Sequence, residues 1–99
     1  MTTQPIPEGY HTLTTYLTME NAAEAIDYYK DVFGAKERIR IEAPDGKIGH
    51  AELEIGDSLL MLSDAFPGAT SRPPTELGGT TAGAFMYVED VDAVVKRAV

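Results

Sequence analysis

The sequence contains no cysteine, which excludes disulfides, thiolate metal sites and cysteine nucleophiles. Basic residues are scarce: 8 Lys and Arg stand against 16 Asp and Glu, a formal charge of −8. Nucleic acid is bound through Lys and Arg on phosphates, and anionic membrane surfaces attract the same residues, so neither partner is expected. No apolar run approaches the roughly 18 residues that a membrane-crossing helix needs. Met1 to Tyr10 is polar and rich in proline, without the charged start and apolar middle of a secretory leader, so a cytoplasmic protein is expected. What is present is a core-forming composition. Hydrophobic residues make up 43% of the 99, too many for a disordered acidic tail. A chain of this length makes one domain, and burying only about 60–65% of its unfolded surface leaves stability thin, so a partner subunit would help.

Pro5, Pro7 and Gly9 make residues 1–10 an irregular lead-in. Residues 11–19, rich in Thr, Tyr and Leu, predict a strand. Asn21 then stands as an N-cap with Glu24 three residues on, and Ala22, Ala25, Ile26, Tyr29 and Phe33 repeat at helical spacing. Gly34 occupies the place of a terminating glycine. Three strand-like runs follow, over 37–43, 48–55 and 58–63, joined by Pro44-Asp45-Gly46-Lys47 and by a two-residue Gly56-Asp57 turn. The first 64 residues thus predict β-α-β-β-β. Residues 65–81 are a Pro/Gly/Thr-rich stretch expected to be a linker or a functional loop. Residues 83–88 then predict a strand, Asp90 an N-cap, and Val91, Val94, Val95 and Ala98 the apolar stripe of a helix.

The two strand-to-helix junctions match each other. Laid over residues 86–95, residues 17–26 bring Glu20 onto Glu89, Asn21 onto Asp90, and Leu17, Met19, Ala22 and Ile26 onto Met86, Val88, Val91 and Val95. An internal repeat of this kind predicts two copies of one module, the second of them cut short within 82–99.

The order βαβββ with a second copy beginning resembles the vicinal oxygen chelate superfamily, which includes glyoxalase I, bleomycin-resistance proteins and extradiol dioxygenases. The run Ala25-Ile26-Asp27-Tyr28-Tyr29-Lys30-Asp31-Val32-Phe33-Gly34-Ala35 is similar to that family's recurring helix end. The segments at His50-Ala51-Glu52-Leu53, Met61-Leu62-Ser63-Asp64 and Tyr87-Val88-Glu89-Asp90 resemble its PhnB-like branch. The resemblance implies an α+β fold in which paired modules curl into a cup, and a homodimer as the paired assembly. In the metal-dependent members four ligands, His, Glu or Gln, line that cup. Carried onto this chain, their positions fall on Thr14, Met61 and the neighbourhood of Gly83, with the fourth after Val99. A hydroxyl, a thioether and a bare backbone hold a divalent ion poorly, so neither metal nor other cofactor is expected.

The Gly56-Asp57 turn sets the pairing of its two strands, so Glu52 opposes Met61 and His50 opposes Ser63. If Met61 faces the cup, then His50, Glu52, Glu54, Leu59 and Ser63 face it too. The other face carries Ala51, Leu53, Ile55, Leu60 and Leu62, as a helix-covered surface should. His50 and Glu52 are the candidate pair for fixing a ligand or for acid–base work. A metal on that pair would need a third donor, and His11 is the other histidine. Tyr16, Phe85 and Tyr87 have cup-facing parity on the two first strands and suit a flat or apolar ligand, or packing between modules. Arg38 and Arg40 lie on an alternating charged strand, a solvated face or an anion contact. Gly78-Gly79 lacks the Lys and helix of a phosphate loop, and no marked Ser accompanies either histidine. These readings lead to a metal-independent small-molecule-binding protein whose ligand meets Tyr16, His50, Glu52, Met61, Phe85 and Tyr87. The alternative is a lyase- or isomerase-type enzyme using His50 and Glu52, with or without a divalent metal.

Overall fold

The computed structural model describes residues 4–99. The chain runs β1 (Thr15–Met19), α1 (Ala22–Phe33), β2 (Lys36–Glu42), β3 (Ile48–Ile55), β4 (Ser58–Asp64), a short α2 (Pro74–Leu77) and α3 (Val91–Ala98). This is the α+β, βαβββ module that the sequence predicts. The four strands form one sheet in the order β1-β4-β3-β2. β2, β3 and β4 are antiparallel neighbours joined by tight turns, while β1 pairs parallel with β4. A parallel partner cannot be reached by a hairpin, so α1 and the two hairpins make up the crossover.

Helix α1 begins and ends where local chemistry dictates. The Asn21 side chain accepts from the Glu24 amide, and Gly34, at φ 68°, closes the helix with its N–H on the Tyr29 carbonyl. A residue with a Cβ is strained at that φ, which is why glycine stands there. The helix lays Ala22 and Ile26 on the sheet, where they meet Ala35, Ile48, Ala51, Leu53 and Leu62. Leu17, Met19, Ala25, Tyr29 and Ile55 pack partly against this cluster. Val32, off the predicted stripe, is buried as well. The core therefore lies on one side of the sheet and leaves the opposite side open.

Asp64 supplies a bond between elements that no local pattern foretells. It is buried, and its two carboxylate oxygens accept from the Ala22 amide at 2.8 Å and the Ile48 amide at 2.7 Å. One side chain thus fastens the end of β4 to the start of α1 and the start of β3. The carboxylate also lies at the positive end of the α1 dipole.

Two expectations need correction. β1 starts at Thr15, not at His11, and Leu13 is exposed. Within the 65–81 stretch lies α2, which packs against β1. Residues 83–88 form no strand. A strand is held by its hydrogen-bonded neighbour, and among the described residues none stands beside this segment. The second junction keeps only its helical half: Asp90 caps α3 by accepting from the Ala93 amide at 3.0 Å, the counterpart of Asn21 on Glu24.

Candidate functional site

The site is built on the open face of the sheet. The β3–β4 register pairs Glu52 with Met61 and Glu54 with Leu59, and the β1–β4 register pairs Tyr16 with Met61. Directly paired residues share a face, so Tyr16, Met61 and Glu52 stand side by side across three strands. His50, two residues from Glu52 on β3, joins them. On β2 a bulge between Glu37 and Ile39 shifts the register, so that Ile39 pairs with Glu52 and Ile41 with His50. The same bulge leaves Glu37 opposite Leu53 and Arg40 opposite Ala51, on the helix side. There Glu37 accepts from Lys30 of α1 at 2.9 Å and from Arg40 at 2.8 Å. Those two hydrogen bonds lower the Glu37 pKa.

A chain of hydrogen bonds crosses the open face. The Tyr16 hydroxyl lies 3.1 Å from His50 Nδ1, His50 Nε2 lies 2.8 Å from Glu52 Oε2, and the Tyr10 hydroxyl donates to Glu52 Oε1. A carboxylate only accepts, so the neutral ring satisfies both contacts with its proton on Nε2 and Nδ1 accepting from Tyr16. The Tyr16 and His50 rings also stack, 5.5 Å between centroids. Glu52 is buried, and burial alone would raise its pKa. Hydrogen bonds from His50 and Tyr10, with the charge of Arg38 and that of His50 once its ring is protonated, outweigh that and hold Glu52 below its ordinary range. The Tyr10 phenol is pushed up, chiefly by its hydrogen bond to Glu52. The Arg38 guanidinium stands over the Tyr10 ring at 5.2 Å, within range of a cation–π contact. Around this polar line Tyr16, Ile39 and Ile41 are exposed.

Of the residues predicted for the site, the fold brings together Tyr16, His50, Glu52 and Met61. Phe85 and Tyr87 are not among them. They pack on each other at 5.3 Å and are 86% and 92% exposed, on a segment that no strand holds to the sheet. Sequence reasoning passed over Tyr10, because a Pro-Glu-Gly-Tyr lead-in has no periodicity to signal a face. It also left Arg38 on an alternating strand, since a bulge that re-aims a side chain has no alternation signature. Thr14 is half-buried and lines a separate concavity of about 310 Å³ with His11, Leu13, Asp57 and Leu59. A second concavity, of about 580 Å³, lies between the β1–α1 junction and α2.

The donor set does not suit a divalent ion. Thr14 and Met61 offer a hydroxyl and a thioether, Gly83 lies off the sheet, and His50 and Glu52 spend their facing atoms on each other. His11 lines the other concavity, and among the described residues no three His, Asp or Glu converge.

Comparison with known proteins gives the fold its relatives. The profile of the Glyoxalase/Bleomycin resistance protein/Dioxygenase superfamily matches residues 10–99. Uncharacterized proteins of Mycobacterium bovis and Mycobacterium tuberculosis are each 44% identical over 89 residues, 87% of this chain. The match covers 59% and 52% of those relatives, so the chain spans little more than half their length. Among solved structures, an Arabidopsis thaliana gene product superposes with a TM-score of 0.68 at 22% identity, covering 90% of this chain and 70% of that one. TioX from Micromonospora sp. ML1 gives 0.58 at 24%, covering 89% and 68%. The PhnB protein of Bacillus cereus gives 0.54 at 20%, covering 65% and 57%. At these identities the structural likenesses, the PhnB-like one included, speak for the fold.

Proposed function

Because the chain belongs to the glyoxalase/bleomycin-resistance/dioxygenase superfamily, we propose that its open sheet face binds a small organic molecule without a metal ion. The observation that carries this reading is Glu52, a buried carboxylate held between His50 and Tyr10 on an otherwise open face beside exposed Tyr16, Ile39 and Ile41. A few fixed polar groups within an apolar surface are what a small-molecule site needs: the apolar part supplies affinity and the polar part orientation. Phe85 and Tyr87 enter as the opposite wall, supplied when a second module or a second copy of the chain closes the cup. A homodimer in the cytoplasm is the expected assembly.

A fragment screen followed by the backbone amide resonances of β3, Glu52 included, tests the reading. The expected result is a saturable aromatic ligand that loses about tenfold in affinity in His50→Ala, because the imidazole that stacks on Tyr16 and holds Glu52 in place is then gone. No saturable ligand, or ligands indifferent to His50, would leave the face without a binding role. Stoichiometric Ni, Zn, Fe or Mn that disappears in His50→Ala would overturn the metal-free part.

One observation favours a second reading, a lyase- or isomerase-type enzyme. The 2.8 Å His50–Glu52 contact orients an imidazole against an ionised carboxylate, the arrangement of a general base. Activity on a screened ligand that disappears in both His50→Ala and Glu52→Gln, with binding retained, would establish it.

A further inference from the structure

We propose that the 7–10 turn is a self-occupying strap, in which Tyr10 fills a subsite for an aromatic hydroxyl that a ligand must take from it. This inference rests on the reading of the open face as a binding site. Tyr10 comes from a segment with no helix or strand, yet its hydroxyl donates to Glu52, far along the chain in β3. Its ring lies beneath the Arg38 guanidinium. The side chain therefore reports what this corner of the face accepts: a flat ring under a cation with a hydroxyl on a carboxylate.

The strap is also lightly held. The turn is closed by one backbone bond, from the Tyr10 amide to the Pro7 carbonyl at 3.1 Å. Gly9 turns the chain at φ 86°, a backbone conformation that a residue with a Cβ rarely adopts. Residues 4–9 are exposed. A segment with few buried contacts opens at little cost, whereas Glu52 is fixed by His50 and by the sheet. A ligand that offers the same ring and hydroxyl competes with Tyr10 on equal chemical terms, and its apparent affinity is reduced by the fraction of molecules in which the strap is closed.

The test uses p-cresol, which reproduces the tyrosine side chain, and toluene, which lacks the hydroxyl. Each is titrated into the wild-type protein, Tyr10→Ala and Tyr10→Phe, with His50 ring and Glu52 amide shifts as readout. Tyr10→Ala is expected to bind p-cresol about tenfold more tightly than wild type. It should bind toluene at least about fivefold more weakly than p-cresol, since Glu52 then receives no proton. Tyr10→Phe should fall between wild type and Tyr10→Ala, and it preserves the comparison if the alanine variant does not fold. Arg38→Ala added to Tyr10→Ala should weaken p-cresol again. Equal p-cresol affinity in wild type and Tyr10→Ala, with His50 shifting in both, would overturn the strap and leave the binding face standing. Equal affinity for p-cresol and toluene would overturn the hydroxyl subsite. No shift at His50 or Glu52 in any variant would remove the strap together with the reading beneath it.

Discussion

Removing the Asp64 carboxylate should cost more stability than any surface change of similar size. Its two oxygens hold the Ala22 and Ile48 amides at 2.8 and 2.7 Å, and the residue is 6% exposed. Hydrogen bonds to a charged group contribute about 1.5–3 kcal/mol each, and a buried donor left without a partner loses its hydration as well. Asp64→Ala strands both amides, so a loss of about 3–5 kcal/mol is expected. Asp64→Asn keeps one acceptor but sets an NH₂ against the other amide, so about 2–3 kcal/mol is expected. A domain of this size has only about 5–15 kcal/mol in all, and each kcal/mol moves Tm by about 4–8 °C. The alanine variant should therefore melt at least about 12 °C lower. Urea titration followed by far-ultraviolet circular dichroism measures the change directly, with an unchanged m-value showing that both states keep their compactness. A loss under about 1 kcal/mol in Asp64→Ala, at constant m, would refute the claim that this side chain fastens α1 and β3 to the end of β4.

The assignment of faces predicts that Leu62→Ala, fully buried under α1, costs about 2–5 kcal/mol. Leu59→Ala, half-exposed on the open face, should cost under about 1 kcal/mol, and equal losses would mean the faces are misassigned. Gly34→Ala, forced to φ 68°, should lose about 1 kcal/mol by the same urea assay. Glu52 and Glu37 both have folded pKa values below the unfolded ones, so the native state holds their protons less tightly. Their stabilisation is complete above the ordinary glutamate range near about 4.3 and is lost as pH falls through the folded values. His50→Ala with Tyr10→Phe should therefore flatten the acid limb of the stability–pH curve, and an unaltered limb would deny those two groups their hold on Glu52.

Residue type and spacing suffice wherever neighbours in the chain decide the outcome. Asn21 and Asp90 cap their helices, Gly34 ends α1, and the Gly56-Asp57 turn sets a β3–β4 register in which Glu52 meets Met61. These are contacts within a turn or a hairpin. That register, with the apolar residues on the opposite face, already sets His50 and Glu52 on one side of the sheet. The tertiary structure decided whatever joins distant segments. It brought Tyr10 onto Glu52 and Arg38 over Tyr10, and it left Glu37 facing Lys30 through a bulge. It set Asp64 between two backbone amides and left Phe85 and Tyr87 uncovered because no strand pairs with them. A long-range bond depends on where the chain returns after many residues. That path is set by the burial of Ile26, Leu53 and Leu62 as a whole, and no local spacing encodes it.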